Sequence, residues 1–400
     1  MRIRKGFILK LFSGANIQRW NDKIRPAELT ELDKQAHKMI IAYVLGKLGK
    51  YEENNSDFNW IDIIEGSIFE YLQRIEITDI KPPIFRQIKK KNEQYEELKN
   101  WVYRRLNPVI TPLDSDFKNR YRTYFSNNEQ SISRKIINAA HIYATEWEFK
   151  LVEPLNKDTD IEIPDIMSNI MDEKKKYEDL KGVKELKDNP NLKTFINLCG
   201  QLRFQLRWSH VRRLTHTSVL GHMLIVAILA YLFSIQIGAC SKRRINNYFT
   251  GLLHDLPETL TRDIISPVKG AVEGISDIIK EYEKEQMREK IYKILPTEWH
   301  PEMKMYAEDE FADFATINGT QSRVTSRMIK EKYNDDIFNP RDGTLIKACD
   351  DLAAFTEAYI AICNGATAEG LQEAKHEIKE KYKNRFIAGV AFGPIYADFE

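Results

Sequence analysis

VLGHMLIVAILAYLFSIQIGA, residues 219–239, is the stretch whose reading decides the fold. It is long enough to span a bilayer and apolar around almost its whole circumference. A helix of that kind either crosses a membrane or lies at the centre of an α-helical domain. His222 sits near one end and Gln236 near the other, flanked by RLTH and SKRR. A buried imidazole is costly unless it finds a polar partner, so the choice turns on what the rest of the chain offers His222.

Composition narrows the alternatives. The 400 residues allow two or three domains, and 42% apolar with 30% charged residues is ordinary for a soluble globular protein. The 60 basic residues are matched by 59 acidic ones, which gives no strong nucleic-acid signal and no general attraction to anionic membranes. Cys199, Cys240, Cys349 and Cys363 have no CxxC spacing and suit a reducing cytosol. The opening MRIRKGFILKLFSGANIQRW lacks a long apolar core and a small-residue cleavage site. A signal peptide is therefore not expected and a cytoplasmic location is.

Apolar residues recur at three- and four-residue spacing over 34–48, 59–72, 132–151, 192–206, 244–253 and 345–363. Alternating strand patterns are scarce, so the expected fold is all-α. Residues 153–190, charged and bounded by prolines, read as a linker between a domain at 1–152 and another at 191–400. The two sides share an internal repeat. Arg19-Trp20 matches Arg207-Trp208 at an offset of 207 − 19 = 188, His37 matches His222 at 185, and Asp79 with Pro83 matches Asp263 with Pro267 at 184.

The chemistry gathers around GLLHDLPETLTRDIISPVKG, residues 251–270. Adjacent His254 and Asp255 can offer two donors to a cation from a helix end. Pro257 breaks the helix near Leu256, because the residue before a proline avoids the α region. Two further donors come from distant helices: His222, and Asp350 in the apolar run LIKACDDLAAFTEAY, with the preceding Lys-Ala-Cys favouring Asp350 over Asp351. A metal-activated water needs such a converging set with one position open.

The order H…HD…D resembles the HD-domain phosphohydrolase superfamily. RWSHVRRLTHTSVLGHMLIVA, LLHDLPETLTRDIISPVK and KACDDLAAF look like the motifs of its 5′-deoxynucleotidase branch, over roughly residues 195–385. The resemblance implies that His222, His254, Asp255 and Asp350 bind one divalent cation, cobalt, manganese, magnesium or iron. It further implies that Glu258 is the general acid or base, that Arg207 holds the substrate phosphate, that Trp208 packs near the sugar and helps exclude a 2′-hydroxyl, and that Asp263 contacts the substrate or organises the site. The expected reaction is hydrolysis of a nucleoside monophosphate, preferably a deoxynucleotide, to nucleoside and phosphate. A histidine committed to such a site belongs in a helix enclosed by protein, so no membrane span is expected.

The N-terminal side keeps Arg19, Trp20 and His37 but has no His-Asp pair, and His141 stands near the place of the last aspartate. A tandem chain of this kind would replace a homodimer by one active and one silent half, an intrachain pseudo-dimer open to further self-association. Two rival readings stand beside this one. The first is a hydrolase of nucleoside triphosphates or other phosphorylated nucleotides; the second is a nucleotide-binding regulatory module with little turnover.

Overall fold

Ser218 begins the decisive helix by accepting the Gly221 N–H on its hydroxyl at 2.9 Å, the bond that satisfies an otherwise orphaned donor in the first turn. The helix then runs over Val219–Gln236, and 89% of it is buried by the protein's own chain. The computed structural model describes residues 2–54, 57–113, 115–126, 130–262, 264 and 272–400.

The fold is all-α, as the periodicity predicts. The helices that carry the argument are α1 (Lys5–Phe12), α2 (Glu31–Gly49), α3 (Trp60–Ile77), α4 (Ile132–Asn156), α5 (Ile163–Lys175), α6 (Lys181–Lys187), α7 (Pro190–Gln201), α8 (Val219–Gln236), α9 (Ser241–Leu253), α10 (Glu258–Thr261), α11 (Gly343–Cys363) and α12 (Glu369–Tyr382). Strand among the described residues amounts to two small antiparallel hairpins. Phe314–Ile317 pairs with Thr320–Arg323, and Phe386–Ile387 pairs with Val390–Ala391.

α8 packs against α9, α11 and α2, so its apolar circumference meets protein on every side. Close approach of α8 and α9 depends on Gly251, where an added Cβ would fall 2.7 Å from the Ala227 Cα. Gly221 plays the same part against α2, its missing Cβ leaving room for Leu32. A buried polar joint ties α9 to the start of α11. Arg243 donates to both oxygens of Asp342 at 2.6 and 2.7 Å, and Asn247 bridges Asp342 to Ser234 of α8. These bonds fix the depth at which α11 presents Asp350 to His222.

Residues 153–190 are largely helical, and their C-terminal part joins the core. α4 continues to Asn156, α5 and α6 follow, and Leu180, Val183 and Leu186 join the main core. That core is continuous from Ile3 to Phe399 and draws on both sides of the segment. Polar ties also cross between the sides: Arg203 to Glu148 at 2.8 Å, Tyr231 to Glu65 at 2.9 Å, and Ser218 to Asp33.

Candidate metal centre

The site lies where α8, the end of α9 and α11 meet. Helix α9 stops at Leu253 and the chain turns through His254–Pro257 before the short α10, a break that includes Leu256. His254 donates through Nδ1 to the Gly251 carbonyl at 2.9 Å. That bond fixes the tautomer and leaves Nε2 as a lone-pair donor aimed into the site, buried and without a hydrogen-bond partner. Asp255 Oδ2 lies 3.2 Å from it and Asp350 Oδ1 4.0 Å.

His222, fully buried, stands between two carboxylates. Its Nε2 is 2.9 Å from Asp350 Oδ1 and its Nδ1 is 3.2 Å from Glu357 Oε1. Burial and nearby Arg207 push the imidazole toward neutrality, yet Glu357 and Asp350 prevail and raise its pKa to about 9. The carboxylates respond in kind. Burial opposes ionisation of Glu357, but Arg207 and His222 bring it down to about 2. Asp350 is likewise held well below the usual range, against burial, by Lys347 and His222, and Lys347 donates to its second oxygen at 2.8 Å.

Ligand atoms of His222, His254 and Asp350 all lie within 4.8 Å of one another. Two imidazole nitrogens and a carboxylate this close, with one nitrogen orphaned, fit a divalent cation; such N/O sets suit several metals. Asp255 borders the cluster, between His254 and Arg207 Nη1 at 3.8 Å. Asp351 turns the other way, to Tyr382 at 2.8 Å and Lys381 at 2.6 Å, so Asp350 faces the cluster and Asp351 does not. Glu258 is buried at the first position of α10, its N–H bonded to the Asp255 carbonyl and its own carbonyl accepting from Gln205. Asp263 lies outside the described residues.

Residue Glu357 escaped the sequence reading and organises the centre. It is buried two turns after Asp350 on α11, and three donors converge on it: Arg207 Nε at 3.1 Å, Trp208 Nε1 at 2.8 Å and His222 Nδ1. Arg207 is thereby held beside the cluster with its guanidinium between Glu357 and Asp255. Trp208 sits in the left-handed region with φ 56°, a conformation costing a tryptophan roughly 1–3 kcal/mol. Its N–H is committed to Glu357, and its ring packs with Ala358, Ala361 and Leu371.

The same pattern of bonds recurs on the N-terminal side. Arg19 Nε and Trp20 Nε1 donate to Glu148 at 2.8 and 3.0 Å, Trp20 has φ 54°, and the bridge Gln18–Thr30 answers Leu206–Ser218. Thr30 caps α2 as Ser218 caps α8. This fixes the register along the two helices at 218 − 30 = 188, the same offset as the Arg-Trp pairs. Lys34, not His37, therefore stands in the place of His222 (222 − 34 = 188), and His141 answers Asp350, since 350 − 141 and 357 − 148 are both 209. His37, at an offset of 222 − 37 = 185, lies three residues from the position that these bonds set opposite His222. His37 faces away, its Nε2 bonded to the Ile196 carbonyl at 2.9 Å and its Nδ1 3.3 Å from Arg203.

Comparison with known proteins bears on the C-terminal side. Residues 199–379 match the family model of the HD domain. This part of the chain is similar to an HD domain. The match covers His222, His254, Asp255 and Asp350 together with Glu357, and points to a metal-dependent phosphohydrolase in general. No curated protein matches the chain significantly.

Proposed function

We propose that the protein removes the 5′-phosphate from nucleoside monophosphates, deoxynucleotides above all, at the centre formed by His222, His254, Asp255 and Asp350. The observation that carries this reading is the convergence of two histidine nitrogens and Asp350 within 4.8 Å, with an arginine held 3.8 Å from Asp255. A divalent cation bound there supplies Lewis acidity, lowering the pKa of water and neutralising phosphate charge.

The chain's own groups do the rest. Arg207, braced by Glu357, offers a planar fork of donors that matches phosphate oxygens. Phosphoryl transfer asks mostly for such positioning and charge stabilisation. Glu258, buried three residues after Asp255, would move the proton between water and the leaving 5′-oxygen. Trp208 stands next to Arg207, where its ring would bound the sugar; Asp263 is assigned to the substrate by resemblance alone.

The N-terminal side reads as a second, silent HD-like unit. The shared Arg-Trp-Glu bonds and caps support that reading, and Lys34 and His141 take positions where the C-terminal side has metal donors. The common core would then be an intrachain pseudo-dimer interface, in a cytoplasmic protein whose partner is its nucleotide substrate.

The test is phosphate release from paired 5′-deoxy- and ribonucleoside monophosphates with cobalt, manganese, magnesium or iron, using Asp255→Ala as control. Metal-dependent release from the deoxy set, abolished by the substitution, is the expected result. No release from any monophosphate by folded, metal-loaded protein would sink the proposal.

A further inference from the structure

Lys34 is fully buried, yet among the described residues no carboxylate lies within ion-pair distance of it; the partner of its amine is Nδ1 of His141. Every other cation around it is matched. Arg19 is paired with Glu31 and Glu148, Arg74 with Glu31 and Asp79, Lys38 with Glu70, and Arg203 with Glu148. Burying an unpaired ammonium is expensive, so such a group gives up its proton unless an anion meets it. Burial holds the Lys34 amine well below lysine's ordinary range; Glu31 pulls against this while Arg19 and Lys38 push further down.

The two sides of the chain are thus opposites in charge on one framework. On the C-terminal side His222 and Asp350 belong, with His254, to the cluster that offers donors to a cation. On the N-terminal side the equivalent positions carry an amine and an imidazole, and Arg19 hangs from Glu148 as Arg207 hangs from Glu357. An amine that gains a proton when an anion enters stands among the positions that hold metal donors opposite. It can neutralise a phosphate, but it does not generate a nucleophile there. His141 is exposed, at the outer edge of the cluster.

We propose that Lys34, His141 and Arg19 form a second phosphate site, which binds a phosphate monoester without hydrolysing it. The proposal rests on the reading of the matching C-terminal centre as a phosphate site. The C-terminal centre needs its metal and this one does not, so chelated protein separates the two.

The experiment is calorimetric titration of the full chain in EDTA with inorganic phosphate and with a nucleoside 5′-monophosphate. Wild type and Asp255→Ala should bind alike, while Lys34→Met should bind at least about tenfold more weakly, the loss of a charge-assisted hydrogen bond. His141→Ala, at the exposed edge, serves as the second variant should the buried substitution impair folding, and it should weaken binding in the same direction. Absence of binding in chelated wild type would overturn the proposal, as would binding unchanged in folded Lys34→Met or, where that variant does not fold, in His141→Ala. Binding in EDTA by a protein that releases no phosphate with any metal would keep this site and remove the catalytic reading. Turnover without EDTA-resistant binding would do the reverse.

Discussion

Replacing Glu357 by glutamine tests how the centre is set. The carboxylate accepts from Arg207 and Trp208 on Oε2 and faces His222 Nδ1 with Oε1. Glutamine has the same shape but one acceptor fewer. If its oxygen stays with Arg207 and Trp208, its NH2 meets His222 Nδ1. That ring nitrogen must then accept, and the ring proton moves to Nε2, the atom 2.9 Å from Asp350 Oδ1. An Nε2–H cannot ligate a metal. Loss of such a partner behind a ligating histidine typically weakens metal affinity 10–100-fold, about 1.4–2.8 kcal/mol. Glu357→Gln should therefore lower the affinity for cobalt or manganese by that factor in equilibrium titration. Asp351→Asn, which faces Tyr382 instead, should leave it unchanged. A folded Glu357→Gln protein with wild-type metal affinity would refute the argument that Glu357 fixes the tautomer of His222.

Two predictions concern the scaffold. Gly251→Ala should destabilise the protein by about 1–3 kcal/mol in chemical denaturation, because the new methyl would meet backbone of α8 that cannot retreat; an unchanged midpoint would mean that α8 and α9 can separate freely. His37 is buried, and burial followed by Arg203 lowers its pKa to about 3, against an ordinary 6.5. Its folded form thus refuses a proton that the unfolded chain accepts, so its contribution is complete above pH 6.5 and is lost as pH falls toward 3, at roughly 1.4 kcal/mol per unit. His37→Gln should have a shallower loss of stability between pH 6.5 and 4.5 than wild type, and parallel pH profiles of the two proteins would show that His37 does not titrate as argued.

The sequence by itself determined the helical class, because three- and four-residue spacing is a local property of the chain. It also singled out His222, His254-Asp255 and Asp350, since polar groups embedded in apolar helices demand partners, and the structure brings His222, His254 and Asp350 into one cluster with Asp255 at its border. Glu357 was legible only in principle. It follows Asp350 by seven residues as Glu148 follows His141, but nothing local says that three donors from α8 and the Arg-Trp turn converge on it. Which N-terminal residue lies opposite His222 was likewise out of reach. A matching histidine drew the alignment to His37, while the caps and bridges that fix Lys34 opposite His222 are contacts between segments. Residues 153–190 looked like a linker by composition, and only packing reveals that Leu180, Val183 and Leu186 are core. Spacing along a chain fixes which face a side chain takes on its own helix; which charge it meets there is decided by the helix that packs against it.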